Sequence, residues 1–457
     1  MKKSILYFIL LLTSFAGNGQ QINSYLQERA EANVLALVKD KQLAQRVVID
    51  NNGIHLRTPN GRPQYSIYWN EMGHFISNVE NSDYYEIQKL FKHKGTQAVQ
   101  HYSDVIEYNH YTDYPTDLKE LSVVLDPGHF GGNLEEALLE GRILRMSATD
   151  AKTDQDVSIF EAHLSYVTAL LIKQKLAELG CHSVMITRPY GAGALGVSFA
   201  SWLKEEDGFS SSIARSLKYN DVSRAYYDEL ILAAKDTTSN LNRNKLFNYY
   251  KFLDFRSRID KANTYRANVT LSLHYNASDN SRPVNSERYY KPTEDNYNMI
   301  FIPGGFLYNE LDKTDAILDF LRLLVSPDID NSLTLSGLIL EHQTKLTGVP
   351  RASIKPESKL YPVSNLTREP GVYARNLPQL RMIRGTVVYG ETLLQDNANE
   401  AAALSKKEIK LVDPESGKVL WAPRRCDQVA QGYVDGIVSF LEINKEKKLR
   451  YTASVKE

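Results

Sequence analysis

The chain is predicted to be an α/β protein: a mostly parallel sheet flanked by helices, with large inserts and a small N-terminal α+β segment. Two observations predict this. Short apolar runs stand at 121–125, 269–273 and 385–390 and end in turn or polar residues. Helical patterns separate them, most clearly at 158–179. Runs that are apolar throughout suit strands covered on both faces, and alternation of strand with helix builds a parallel sheet.

The N-terminus has a three-part layout. Met1-Lys2-Lys3 is basic, residues 5–12 are almost wholly apolar, and small and polar residues run on to Gln20. This reads as a secretory signal peptide over 1–20, cut near Gly19 or Gln20, which places the chain in the periplasm or outside the cell. No cysteine follows the apolar run, so lipid modification is not indicated. The run is too short for a membrane helix, and no later segment reaches about 18 unbroken apolar residues, so no membrane span is expected.

Residues 21–119 form the α+β segment, of unknown role. Leu26, Ala30, Val34, Leu37 and Val38 mark a helix over 23–43. Val47 to Asp50 precede the turn signal Asn51-Asn52-Gly53, strand-like pieces follow at 54–57 and 65–69, and 84–99 reads as helix. His55, His74, His93, His101 and His110 are scattered and read as surface or core histidines.

The second segment, 120–445, opens on the strand 121–125, stopped by Asp126-Pro127-Gly128-His129. Ile159, Val167, Leu170, Leu171 and Leu176 make 158–179 an amphipathic helix that Gly180 ends. Strands are expected at 183–187, 269–274 and 385–390, and helices at 253–265 and 425–443. Two stretches interrupt the alternation. Residues 189–252 carry helical pieces at 213–217 and 222–234, and residues 279–316 are rich in Asn, Tyr and Pro. Both read as inserts that rim or cover a site.

Composition narrows the function. The 457 residues are 42% hydrophobic and 24% charged, ordinary for a soluble globular protein. Lys and Arg number 54 against 55 Asp and Glu, so no basic excess points to nucleic acid. The 28 tyrosines suit sugar- or peptide-lined surfaces as well as half-buried positions. Cys181 and Cys426 lack metal or redox spacing and read as two small buried residues.

Chemistry gathers at strand ends. His129, His274 and Glu391 each follow an apolar run, and Glu161 sits in the first turn of the long helix. In an open α/β sheet, ligands collect beyond the carboxyl ends of the strands. Two imidazoles and a carboxylate are a usual zinc set with one position left for water. A zinc ion so held lowers the pKa of water to about 7, and a second carboxylate can then move its proton. Gly128, Gly131 and Gly132 would let backbone approach the metal or substrate closely. Each residue taken singly has a plain alternative: a loop histidine, a helix-start surface charge, a core histidine, a rim carboxylate.

Taken together the segments resemble the zinc-dependent N-acetylmuramoyl-L-alanine amidases, in the type 3 catalytic domain. Val124-Leu125-Asp126-Pro127-Gly128-His129-Phe130-Gly131-Gly132 is similar to the first metal-ligand loop, with Phe130 where glycine is common. Glu161 and the helix to Gly180, then Val184-Met185-Ile186-Thr187-Arg188, resemble the second ligand segment and the strand after it. Arg258, Ala262-Asn263 and Leu271-Ser272-Leu273-His274-Tyr275-Asn276-Ala277 resemble the third. Gly371-Val372-Tyr373, Leu380-Arg381 and Glu391 to Asn397 resemble the last, with Tyr389-Gly390 in place of a more apolar pair.

The resemblance covers about 121–441. It implies Zn2+ held by His129, Glu161 and His274, Glu391 as the catalytic carboxylate, and peptidoglycan as substrate, with room for a protein activator. His129 and Glu161 stand 32 residues apart, longer than the family usually shows, and Glu135, Glu136 and Glu140 in between are rival carboxylates. Glu161 is preferred because the helix behind it fits. Another zinc peptidase or carboxypeptidase acting on cell-wall peptides, or a non-catalytic wall-binding module, is the alternative reading.

Overall fold

The computed structural model describes residues 24–72, 75–76, 114–130, 134–205, 208–218, 222–279, 281–312 and 314–454. The expected signal peptide, the helix expected over 84–99, Gly131 and Gly132, and His74, His93, His101 and His110 lie outside the described residues. The chain divides into two compact units, 1–28 with 46–107 and 29–45 with 108–457.

In the smaller unit, β1 (Val47–Asp50), β2 (Gly53–Arg57) and β3 (Pro63–Tyr68) form an antiparallel sheet in chain order. Asp50 pairs with Gly53, so Asn51 and Asn52 are a two-residue hairpin turn, as their composition predicts. His55 reaches Ser66 Oγ across the sheet at 2.9 Å, a cross-strand structural contact.

The helix expected over 23–43 is two helices. The first, α1 (Ser24–Leu37), ends because Val38 enters a parallel bridge with Phe306. Asp40 then caps a separate turn, Lys41–Ala44, by accepting from Leu43 N at 2.7 Å. Apolar spacing continues through the break, but the backbone groups are used elsewhere.

The larger unit is built on seven strands. Along the chain come β4 (Ser122–Pro127), α2 (Leu134–Glu140), the hairpin β5 (Ile143–Met146) and β6 (Val157–Phe160), α3 (Glu161–Glu178) and β7 (Ser183–Ile186). Four helices follow: α4 (Phe199–Lys204), α5 (Phe209–Lys218), α6 (Arg224–Ala234) and α7 (Asn240–Tyr265). Then come β8 (Val269–Asn276), β9 (Met299–Pro303), α8 (Thr314–Val325), α9 (Asp328–Thr347), β10 (Ser364–Leu366), β11 (Val372–Arg375) and β12 (Thr386–Leu394). The hairpin β13 (Ile409–Val412) and β14 (Val419–Ala422) and the helix α10 (Arg424–Ser454) close the chain.

The sheet order is β10-β11-β9-β12-β8-β4-β7. Four neighbouring pairs are parallel, and β10–β11 and β9–β12 are antiparallel. The mostly parallel α/β sheet is therefore present. Strands β4, β8 and β9 are buried along nearly their whole length, because helices cover both faces. Ile259 and Ala262 of α7 pack with Val124, Met299, Phe301, Tyr373 and Val387. In the other layer α10 packs on both α3 and α9.

Several expectations are corrected. The helix expected from 158 starts at Glu161, because 157–160 pair with β5 as a strand. It is not amphipathic over most of its length: residues 164–172 are all buried, because the sheet lies on one side and α10 on the other. The stretch 279–316 is not merely an insert, since β9 lies inside the sheet between β11 and β12. The helix expected from 253 begins at Asn240. No described helix is long and apolar enough to cross a membrane. Cys181 and Cys426 are both free; Cys426 is buried and Cys181 only half-buried.

Candidate metal centre

Four elements converge at one end of the sheet. His129 follows β4, Glu161 is the first residue of α3, His274 lies in β8, and Glu391 is the register partner of His274 on β12. His274 and Glu391 do not end their strands, which run on to Asn276 and Leu394. The register of β12 on β8 shifts between Thr392 and Leu394, with Leu393 at φ 57°.

The first three side chains meet. His129 Nε2 lies 2.8 Å from Glu161 Oε1. His274 Nδ1 lies 3.2 Å from the same oxygen and 3.2 Å from His129 Nε2. All three residues are buried, and they are a described His/Glu group able to hold a metal ion. Donors about 2.0–2.1 Å from a tetrahedrally bound ion lie about 3.3 Å apart. The three observed separations are near that edge length, so the cluster fits a zinc-sized cation in donor type and in spacing.

The loop carrying His129 is held from behind. His129 has φ 61°, a left-handed conformation costing about 1–2 kcal/mol for a side-chain-bearing residue. Two buried arginines fix its carbonyls. Arg258 donates to Pro127 O at 2.6 Å and His129 O at 2.6 Å. Arg188 donates to Pro127 O at 3.0 Å and Gly128 O at 3.0 Å. Asp126 balances Arg258 at 2.9 Å and accepts from Thr187 and Ser272. Gly128 is required here, since a Cβ at that position would fall inside the His274 ring.

Around the cluster stand groups that the sequence did not single out as partners. Glu140 Oε1 lies 2.9 Å from Nδ1 of His129, so it orients the ring whose other nitrogen faces the cluster. Tyr389 stacks on His274 with centroids 4.5 Å apart and planes 14° apart. Tyr275 N donates to Glu161 Oε1 at 3.2 Å, and Gln395 Nε2 approaches Glu161 Oε2 at 3.4 Å. Arg142 places a guanidinium nitrogen 3.7 Å from the same Oε2. Of the rival carboxylates, Glu136 accepts from Phe199 N at 2.8 Å, Glu140 lies on the far nitrogen of His129, and the side chain of Glu135 lies outside the described residues.

Charge is distributed unequally. Burial disfavours a charged His129, but Glu140 and Glu161 override it and push the pKa up to about 9. Burial and the neighbouring His129 lower that of His274, despite its hydrogen bond to Glu161. Burial likewise opposes ionisation of Glu161, and His129, His274 and Arg142 overcome it, holding the carboxyl well below its usual range. Glu391 is pushed up to about 7 by burial and by Glu161. Two nearby carboxylates thus differ in proton affinity, one fixed as an anion and one poised to exchange a proton.

The residue at 130 has a structural cause. Phe130 is 1% exposed and packs on Phe247 at 5.4 Å and Tyr250 at 5.7 Å. It joins the aromatic core of 189–252, with Phe199, Trp202 and Tyr249. The insert is therefore an ordered helical subdomain rooted beside His129.

No protein-family model matches the chain, and no curated protein sequence does either. Solved structures are similar to it at low identity. The N-acetylmuramyl-L-alanine amidase of Mycobacterium smegmatis is 12% identical over 71% of this chain and 98% of its own, with a TM-score of 0.37. That of Mycobacterium abscessus is 14% identical over 70% and 98%, with a TM-score of 0.34. The catalytic domain of an N-acetylmuramoyl-L-alanine amidase from Bacillus (Paenibacillus) polymyxa is 14% identical over 70% and 98%, with a TM-score of 0.33. These scores are low, so the chemistry of this chain is read from its own residues.

Proposed function

We propose that the chain is a zinc-dependent N-acetylmuramoyl-L-alanine amidase that hydrolyses the amide between muramic acid and the L-alanine of the peptidoglycan stem. The observation that carries this reading is the triangle of donor atoms from His129, Glu161 and His274, with edges of 2.8, 3.2 and 3.2 Å, beside a carboxylate poised near neutrality. The ordered sequence segments around these residues support the amide as the bond cut.

His129 through Nε2, His274 through Nδ1 and Glu161 would hold the ion. When bound, zinc would supply Lewis-acid activation of a water and of the amide carbonyl. Glu391 accepts the proton as the water oxygen bonds to the carbonyl carbon, and the carbonyl π pair moves onto oxygen. When the tetrahedral centre collapses, the C–N pair leaves with nitrogen and takes the proton back from Glu391. The products are a muramyl carboxylic acid and a peptide with a free alanine amine. Glu140 keeps His129 oriented, and Tyr389 fixes the plane of His274.

Residues 120–445 are the proposed catalytic domain, and the basic-apolar N-terminus fits export to the compartment that holds peptidoglycan.

The test is muropeptide analysis after digestion of purified cell wall, with and without a chelator. New alanine amino termini, their loss on chelation and near-stoichiometric zinc are expected. Peptides trimmed at their carboxyl ends would point to a zinc carboxypeptidase. A well-folded wild-type protein without zinc would sink the metal reading.

A further inference from the structure

Arg142 is a cation at this site, beside Glu161, to which no catalytic step has been assigned. Its guanidinium stands 3.7 Å from Glu161 Oε2, beyond hydrogen-bonding distance. It also feels the charge of Glu140 and Glu391. Its side chain is 49% exposed, against 2% for Glu161. Among the described residues no acceptor forms a hydrogen bond with it. It is thus a half-exposed cation ion-paired with Glu161 beside the cluster, with none of its guanidinium N–H groups in a hydrogen bond to another described residue.

Its backbone is held in place. Arg142 N donates to Ala137 O at 2.8 Å after the left-handed Gly141. Arg288 grips the residues on either side, donating to Gly141 O at 2.7 Å and Ile143 O at 3.3 Å. The first of these bonds closes the helix over 134–140 in the usual glycine-ended way, and together they fix the base of the Arg142 side chain while its end stays half in solvent.

We infer that Arg142 is a further catalytic residue, donating to the carbonyl oxygen of the scissile amide as negative charge develops there. The inference rests on the amidase reading of the same site. The carboxylates around the cluster, Glu161, Glu140 and Glu391, are the charges that Arg142 faces. A carbonyl oxygen gaining charge beside these anions is stabilised further by a fixed donor in addition to a bound cation, and a guanidinium offers several N–H groups without losing its proton. Arg142 forms and breaks no covalent bond. Its pairing strengthens as the carbonyl carbon becomes tetrahedral, so the effect falls on kcat more than on KM.

The test compares wild type, R142A and R142K as the full chain loaded with zinc. Two ligands are used: a phosphinate analogue of the N-acetylmuramoyl-L-alanine amide, with a negative oxygen on its tetrahedral centre, and the neutral alcohol of the same shape. R142A should lose about 10²-fold or more in kcat and in phosphinate affinity, bind the alcohol almost as wild type does, and keep its zinc. R142K should recover part of the loss, and free guanidinium ion should partly restore cleavage by R142A. Equal loss on both ligands, loss of zinc, or unimpaired turnover by R142A in an active enzyme each overturns the role of Arg142 and leaves the amidase reading standing. A zinc-loaded wild type that leaves the muramyl amide intact overturns the amidase reading, and the role of Arg142 with it.

Discussion

Glu140 holds Nδ1 of His129 at 2.9 Å, and that contact leaves Nε2 as the ring nitrogen that faces the proposed metal position. With Nδ1 engaged, Nε2 faces Glu161 and His274. Removing such a partner typically costs 10–100-fold in metal affinity. E140Q should therefore bind zinc about 10–100-fold more weakly, measured by competition with a chromophoric chelator. Unchanged affinity would mean that the loop alone orients His129.

Glu391 stands apart from the metal cluster in its expected effect. Its replacement removes a proton carrier and no proposed ligand. E391A should lose about 10²–10⁴-fold in amide hydrolysis while zinc content and melting temperature stay near wild type. A drop in zinc content equal to the drop in rate would place Glu391 among the ligands instead.

The same carboxyl has a pH signature. Its pKa in the fold is about 7, above the usual 4.5, because of burial and Glu161. Its contribution to stability is therefore full below about 4.5 and is lost as pH rises through about 7. A bound cation favours the charged form, so adding zinc should move the titration midpoint of Glu391 to lower pH. Carboxyl-carbon NMR with and without the metal reads this directly. A midpoint that rises with zinc contradicts the proximity of the two.

Gly128 tests the packing of the site. A Cβ there would overlap the His274 ring, and the neighbouring backbone is pinned by Arg188 and Arg258. The ring must move instead. G128A should fold but lose most of its zinc and activity, seen by metal analysis and circular dichroism. Full zinc occupancy in G128A would show that the loop yields.

Phe130 separates the insert from the site. It is buried among Phe247, Tyr250 and Phe199, and removing a buried aromatic side chain costs about 3–5 kcal/mol. F130A should lose that much in stability, with amide exchange rising first across 199–252. Uniform exchange over the whole larger unit would mean that the insert does not open on its own.

Much of the site was legible because its residues are tied to local signals. His129 follows Pro127-Gly128 at a strand stop, and His274 closes an apolar run. Glu161 opens a helix whose end is marked by Gly180. Less was legible where partners are distant in sequence. Strand β9 hides in an Asn- and Pro-rich stretch, because five buried residues between polar loops carry a weak periodic signal. The burial of residues 164–172 of α3 on all sides depends on α10, some 260 residues later.

By itself the sequence determined the α/β alternation and set His129, His274 and Glu391 behind apolar runs and Glu161 at a helix start, since apolar periodicity and turn residues act over a few positions. The tertiary structure decided which carboxylate meets the histidines and which orients one of them, because Glu140 and Glu161 are chemically alike and differ only in where the 134–160 segment folds them. It also decided the charges. The elevated pKa of Glu391 and the depressed one of Glu161 come from burial and from neighbours on other strands and helices, and no local pattern encodes a distance between groups far apart in the chain.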